Sequence, residues 1–117
     1  MPTIKSNTTK IDYVEFVGDT LKFVYTWKVD DVPVILSSYT GTLSIRTTPG
    51  DTPVKTITET TGLTLGDSTN NIIAELSSTD TSTLGAGTFY YDLVLTDDTG
   101  YVNTLILGEI ELVIRGT

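Results

Sequence analysis

The sequence contains neither cysteine nor histidine. The first absence removes the thiolate nucleophile, any disulfide framework and every cysteine-based zinc or iron–sulfur site. The second removes the usual general base near neutral pH and the commonest transition-metal ligand, so serine–histidine and cysteine–histidine catalysis are both excluded. Positive charge is scarce as well: seven Lys and Arg stand against fifteen Asp and Glu, a formal net charge of −8 and a pI near 4.1. The basic residues are scattered from Lys5 to Arg115 without a run. Phosphate binding needs clustered Lys and Arg, so neither a nucleic-acid partner nor an anionic membrane surface is expected. The stretch from Met1 to Thr9 lacks the apolar core of a signal peptide, and no later segment approaches the length of a membrane span. Synthesis and residence in a cytoplasm are expected unless assembly carries the protein elsewhere.

What is present points to strands. A chain of 117 residues sits near the commonest domain size, and at that size roughly 65% of the unfolded surface is buried, enough for stability without disulfides or metals. Apolar residues recur with period two, the mark of half-buried strands. In the stretch from Thr88 to Thr96, Phe89, Tyr91, Leu93 and Leu95 share one face and Thr88, Tyr90, Asp92, Val94 and Thr96 the other. In the stretch from Leu21 to Val29, Leu21, Phe23, Tyr25, Trp27 and Val29 oppose Lys22, Val24, Thr26 and Lys28. Further strands are expected over 11–17, 40–47, 54–58, 71–77 and 101–114, the last interrupted at Gly108, where glycine suggests a bulge or a change of partner.

Turn formers separate these runs: Gly18-Asp19, Asp30-Asp31, Pro49-Gly50-Asp51, Gly66-Asp67, Gly85-Ala86-Gly87 and Asp97-Asp98-Thr99-Gly100. Their spacing favours a sandwich or barrel, and the last predicts a tight hairpin between antiparallel neighbours. Threonine makes up about a fifth of the chain, and its branched Cβ suits the solvent faces of strands. Only residues 77–84 offer a helical turn, with Ser78 or Asp80 as its cap. The expected fold is an all-β, immunoglobulin-like antiparallel β-sandwich of about seven to nine strands over residues 11–117, preceded by an N-terminal arm, residues 1–10.

Chemistry-bearing patterns are thin. Asp30/Asp31 and Asp97/Asp98 pair carboxylates, but adjacent residues point apart and neither pair lies in a calcium-loop spacing, so both read as turns. Pro49-Gly50-Asp51-Thr52-Pro53 reads as a hairpin tip, since no glycine-rich loop leads into a helix. Asp92 reads as a solvated or backbone-bonded strand residue. Tyr25, Trp27, Phe89 and Tyr91 fall on faces expected to be buried. Tyr13, Tyr39, Tyr90 and Tyr101 remain as candidates for partner contact. No catalytic, cofactor-binding or metal-binding residues are expected, and the chain does not read as an enzyme.

Two stretches resemble small immunoglobulin-like structural proteins of tailed phages, similar to the N-terminal domain of the phage baseplate upper protein. The first runs Gly18-Asp19-Thr20-Leu21-Lys22-Phe23, then Trp27-Lys28, the segment from Pro33 to Thr40 and Leu43-Ser44-Ile45-Arg46. The second joins Leu84 and the segment from Gly87 to Asp97 to Gly100-Tyr101-Val102, Thr104-Leu105 and the segment from Leu107 to Val113. The resemblance spans residues 11 to 117. It implies a virion component made in the host cytoplasm and placed in the tail, baseplate or collar. It would contact other phage structural proteins and form a homo-oligomer in the particle. Decoration of a phage capsid is the alternative location, and a carbohydrate-binding module using Tyr39, Tyr90 and Tyr101 the alternative of another class. Phe89 stands where an immunoglobulin tyrosine corner places its hydroxyl. Longer members of the family continue into coiled-coil and receptor-binding regions, so the resemblance implies a stand-alone building block.

Overall fold

The computed structural model describes residues 9–115. Along the chain run β1 (Thr9–Lys10), β2 (Tyr13–Phe16), β3 (Leu21–Tyr25), β4 (Lys28–Val29), β5 (Val32–Pro33), β6 (Thr40–Arg46), β7 (Lys55–Thr58), β8 (Leu63–Leu65), β9 (Ile72–Leu76), α1 (Ser78–Leu84), β10 (Gly87–Thr96) and β11 (Val102–Val113). In the larger sheet β10 pairs antiparallel with β11 on one side and β6 on the other, and β7 lies beyond β6. Both β1 and β2 run parallel to β11 along its far edge. The smaller sheet has the order β3-β9-β8, and β4 and β5 form a separate two-stranded hairpin. With β11, β10, β6 and β7 as strands G, F, C and C′, and β3, β9 and β8 as B, E and D, the architecture is an immunoglobulin-like sandwich.

The core lies where the inner faces meet. Leu21, Phe23, Leu63, Ala74 and Leu76 come from the smaller sheet, and Leu43, Ile45, Ile57, Tyr91, Leu93, Ile110 and Leu112 from the larger. Each fully buried aliphatic side chain contributes on the order of 2 kcal/mol. The row from Phe89 to Leu95 is buried as its alternation predicts. Among the described residues, eight strands hold three or more residues and three hold only two.

Several expectations change in detail. The run from Leu21 to Val29 is not one strand: β3 ends at Tyr25, the backbone N–H of Trp27 donates to Asn71 Oδ1 at 2.8 Å, and the chain turns away into the β4–β5 hairpin. Trp27 is buried, but Val29, two residues on, is 48% exposed. The strand β8 lacked a sequence signal, since Leu63-Thr64-Leu65 is too short to display a period. The cap of α1 is Ser77. Its side chain accepts from the N–H of Asp80, whose carboxylate accepts from the N–H of Ser77, so Asp80 is the third-position partner of a capping box.

β11 passes through Gly108 unbroken. Its irregularity lies at Leu105, the extra residue between the pairs Leu93↔Ile106 and Val94↔Thr104. Asn103 and Leu105 face inward before this bulge, and Ile106, Ile110 and Leu112 after it. The glycine has another reason. A Cβ at Gly108 would collide with the carbonyl oxygen of Ile11, in the link between β1 and β2 that runs alongside β11. Tyr91, paired with Gly108 across the sheet, donates its hydroxyl to that carbonyl at 2.7 Å, and Asp12 Oδ1 accepts from the N–H of Glu109 at 2.9 Å. Of the N-terminal arm, Thr9 and Lys10 pair with Ile106 and Leu107; residues 1–8 lie outside the described residues.

Candidate interaction surface

The four candidate tyrosines fall in three places. Tyr13 lies on the inner side of β2, half-buried, its ring edge-on to Phe23 at 4.6 Å and tilted to Tyr91 at 6.0 Å. Burial raises the pKa of its phenol, opposed by a hydrogen bond with Tyr91. Tyr90 lies on the outer face of the larger sheet. Tyr39 and Tyr101 lie at one end of the sandwich, each near Asp97. There Tyr39 stands edge-on to Trp27 at 5.9 Å, and burial, then the charges of Asp97 and Asp98, push its pKa up.

This end is made of three connections. The first is the segment between β3 and β6 that carries the β4–β5 hairpin; the second joins β8 to β9; the third is the hairpin joining β10 to β11. Asn71 locks the first two together. It is 1% exposed, its Oδ1 accepts from the N–H of Trp27, and its Nδ2 donates to the carbonyls of Trp27 and Val34 at 3.1 and 2.9 Å. Asp67 Oδ1 adds bonds from the N–H groups of Leu36 and Ser37, both 3.0 Å. In the third connection Asp97 Oδ1 accepts from the Thr99 hydroxyl and from the N–H groups of Thr99 and Tyr101. Those bonds, the Thr99 hydroxyl first, hold its carboxyl below the usual 3.8.

The β4–β5 hairpin projects from this base. Val29 pairs with Val32 across a two-residue turn in which Asp30 and Asp31 both have positive φ, 53° and 67°. That is the mirror-image turn that matches strand twist, and glycine or asparagine occupies it with least strain. Val32 is 62% and Ile35 64% exposed. Tyr101 and Val102 are also exposed at this end. The three connections carry Asp30, Asp31, Asp67, Asp97 and Asp98 against one basic residue, Lys28, so the surface is apolar and acidic together. None of these exposed aliphatics had been a candidate, because the alternating pattern placed Val29 in the core.

A concavity of about 550 Å³ lies on the outer face of the larger sheet, lined among others by Arg46, Asp51, Tyr90, Asp92, Leu107 and Glu109. Asp92 is neither solvated alone nor backbone-bonded. It pairs with Arg46 at 3.1 Å, while Arg46 Nε donates to the carbonyl of Asp51 at 2.8 Å. Opposite-sign residues on neighbouring strands of one face meet this way. Within the groove, Arg46 thus ties the carboxylate of Asp92 to the backbone of Asp51. Among the described residues no group of three or more acidic side chains is gathered to hold a metal ion, and no helix is long and apolar enough to cross a membrane.

At the far end, Thr81 is fully buried, its hydroxyl donating to the carbonyl of Asp19 at 2.8 Å and accepting from the N–H of Gly18 at 3.0 Å. Asp80 also pairs with Lys55 at 3.0 Å, and Arg115 with Asp19. The charges there are paired within the chain, whereas Asp30 and Asp31 have no ion-pair partner among the described residues. Comparison of the chain with protein-family models and with curated proteins finds no match to either.

Proposed function

We propose that this chain is a non-enzymatic structural component of a tailed-phage virion, placed in the tail, baseplate or collar and working through symmetric protein–protein contacts. The observation that carries the contact role is the loop end, where Val29, Val32 and Ile35 stand exposed on an acidic base. Clustered exposed aliphatics are characteristic of interaction sites. The phage assignment is supported by the sequence resemblance of residues 11 to 117. Mass spectrometry of purified particles, fractionated into tails and capsids, tests it. Recovery of the chain with tails supports the reading. Recovery with capsid surfaces alone moves it to decoration, and absence from particles overturns it.

A carbohydrate-binding reading is favoured by one feature, the groove in which Tyr90 lies beside Arg46, Asp92 and Glu109. Aromatic faces and paired charges are the groups that hold sugar rings and hydroxyls. Glycan-array binding lost on Tyr90→Ala would favour it over the structural role.

A further inference from the structure

We infer that the Val29–Val32 hairpin is a docking prong whose partner is a protein surface presenting Lys and Arg around an apolar depression. The inference rests on the contact role proposed above and names the chemistry of the contact. Three observations carry it.

The hairpin belongs to neither sheet: β4 and β5 pair only with each other. A lone two-stranded ribbon is marginal in water, yet this one is held at its base by the bond from the N–H of Val34 to the carbonyl of Trp27 and by the Asn71 bridge. The base is rigid and the tip is free of the core. Its apolar groups also point away from the sandwich. Val29, Val32 and Ile35 are 48%, 62% and 64% exposed, and they make no part of the buried cluster. Finally, the surrounding charge has one sign. Asp30 and Asp31 at the tip have no ion-pair partner among the described residues, Asp97 and Asp98 act on Tyr39 at the same end of the sandwich, and Lys28 is the one basic residue of the three connections. Complementary potential selects partners and raises association rates, so a basic surface is favoured and an acidic one rejected. A second copy of this chain is disfavoured, since its net charge is −8, Arg46, Lys55 and Arg115 are each paired with a carboxylate of their own chain, and Lys10, Lys22 and Lys28 are scattered over separate strands.

The test titrates the full chain against a synthetic peptide of alternating Lys and Leu, followed by fluorescence anisotropy. Two control peptides carry Ser for every Leu or Glu for every Lys. The Lys/Leu peptide should bind, the Ser form at least tenfold more weakly, and the Glu form not at all. Val29→Ser with Val32→Ser should weaken binding at least tenfold. Asp30→Asn with Asp31→Asn, which keeps a residue tolerant of positive φ, should weaken it about fivefold and flatten its salt dependence. Glu109→Gln with Glu111→Gln removes as much charge from the sheet face and should change it less than twofold. Equal binding of the Ser peptide, or no effect of the valine substitutions, reduces the result to diffuse acidity and overturns the prong. Self-association in sedimentation that depends on Val29 and Val32 overturns the basic partner in favour of a second copy. The broader role is read separately by incorporation into particles. Wild-type chain missing from particles sinks that role and leaves the peptide result standing; incorporation of the valine variant at the wild-type level sinks the prong alone.

Discussion

The link between β1 and β2 beside Gly108 and the β4–β5 hairpin are both short pieces of chain, and they are held in opposite ways. In the link both backbone groups of Ile11 are committed. The Ile11 carbonyl is taken by the Tyr91 hydroxyl, the Ile11 N–H by the Leu107 carbonyl, and the space above Gly108 by backbone itself. At the hairpin the ladder is two residues long, the turn carries two aspartates at positive φ, and the apolar side chains face solvent. The first region is stabilised from within the chain. The second keeps surface in reserve, which is where contact with another molecule can add free energy. Regions that bind are commonly drawn from the less stabilised part of a fold.

Substitutions can break or sharpen this contrast. The largest effect is expected beside the β1–β2 link, where Gly108→Ala must displace the Ile11 backbone. A loss of about 4 kcal/mol in denaturant unfolding is expected, as for overpacking with no flexible neighbour to yield. Next is Asn71→Ala, which strands the N–H of Trp27 and the carbonyl of Val34 beneath the hairpin, while the Trp27 carbonyl keeps the N–H of Val34, and should cost about 3 kcal/mol in the same measurement. Tyr91→Phe keeps the ring but leaves the Ile11 carbonyl unpaired, with an expected loss of about 1.5 kcal/mol.

Smaller effects belong to the far end and the tip. Ser77→Ala should cost about 1 kcal/mol through the lost cap of α1. The same capping box sets a pH dependence. Burial would raise the Asp80 carboxyl, but the Ser77 N–H and Lys55 outweigh it and hold its pKa below 3.8. A carboxyl depressed on folding contributes stability that is present above its unfolded pKa and lost as pH falls through its folded one. Thermal unfolding should therefore carry the full Asp80 contribution near neutral pH, with no pH dependence from this group there, and lose it as pH falls below 3.8, a loss absent from Asp80→Asn. At the hairpin tip the sign reverses. Asp31→Gly relieves a φ of 67° and should stabilise the protein by about 0.5 kcal/mol. If Asp31→Gly instead destabilises, the tip is not strained and the contrast between the two regions weakens.

Much of the sandwich was legible because period-two patterning states directly which side chains face inward. The row from Phe89 to Leu95 is the clearest instance, and the turn at Asp97 to Gly100 follows from residues that make turns by their own hydrogen bonds. Where the reading failed, the deciding contact came from far along the chain. Trp27 and Val29 keep the parity of β3, yet Asn71 captures the Trp27 backbone and sends Val29 outward. Gly108 looks like a break and is instead the clearance for a carbonyl 97 residues earlier, while the bulge at Leu105 sits between residues of unremarkable sequence. The exposed prong was invisible for the same reason: alternation marks which residues are apolar, not whether a second layer covers them.

The sequence by itself determined the strand content, the exclusion of thiol and imidazole chemistry, the acidity and most of the inner rows, since these depend on residue type and local spacing. Tertiary structure alone decided which aliphatics stay uncovered, why Gly108 must be glycine and which carboxylates are left unpaired. Those outcomes depend on distances between residues remote in the chain, and a linear pattern carries no record of them until the sheets have met.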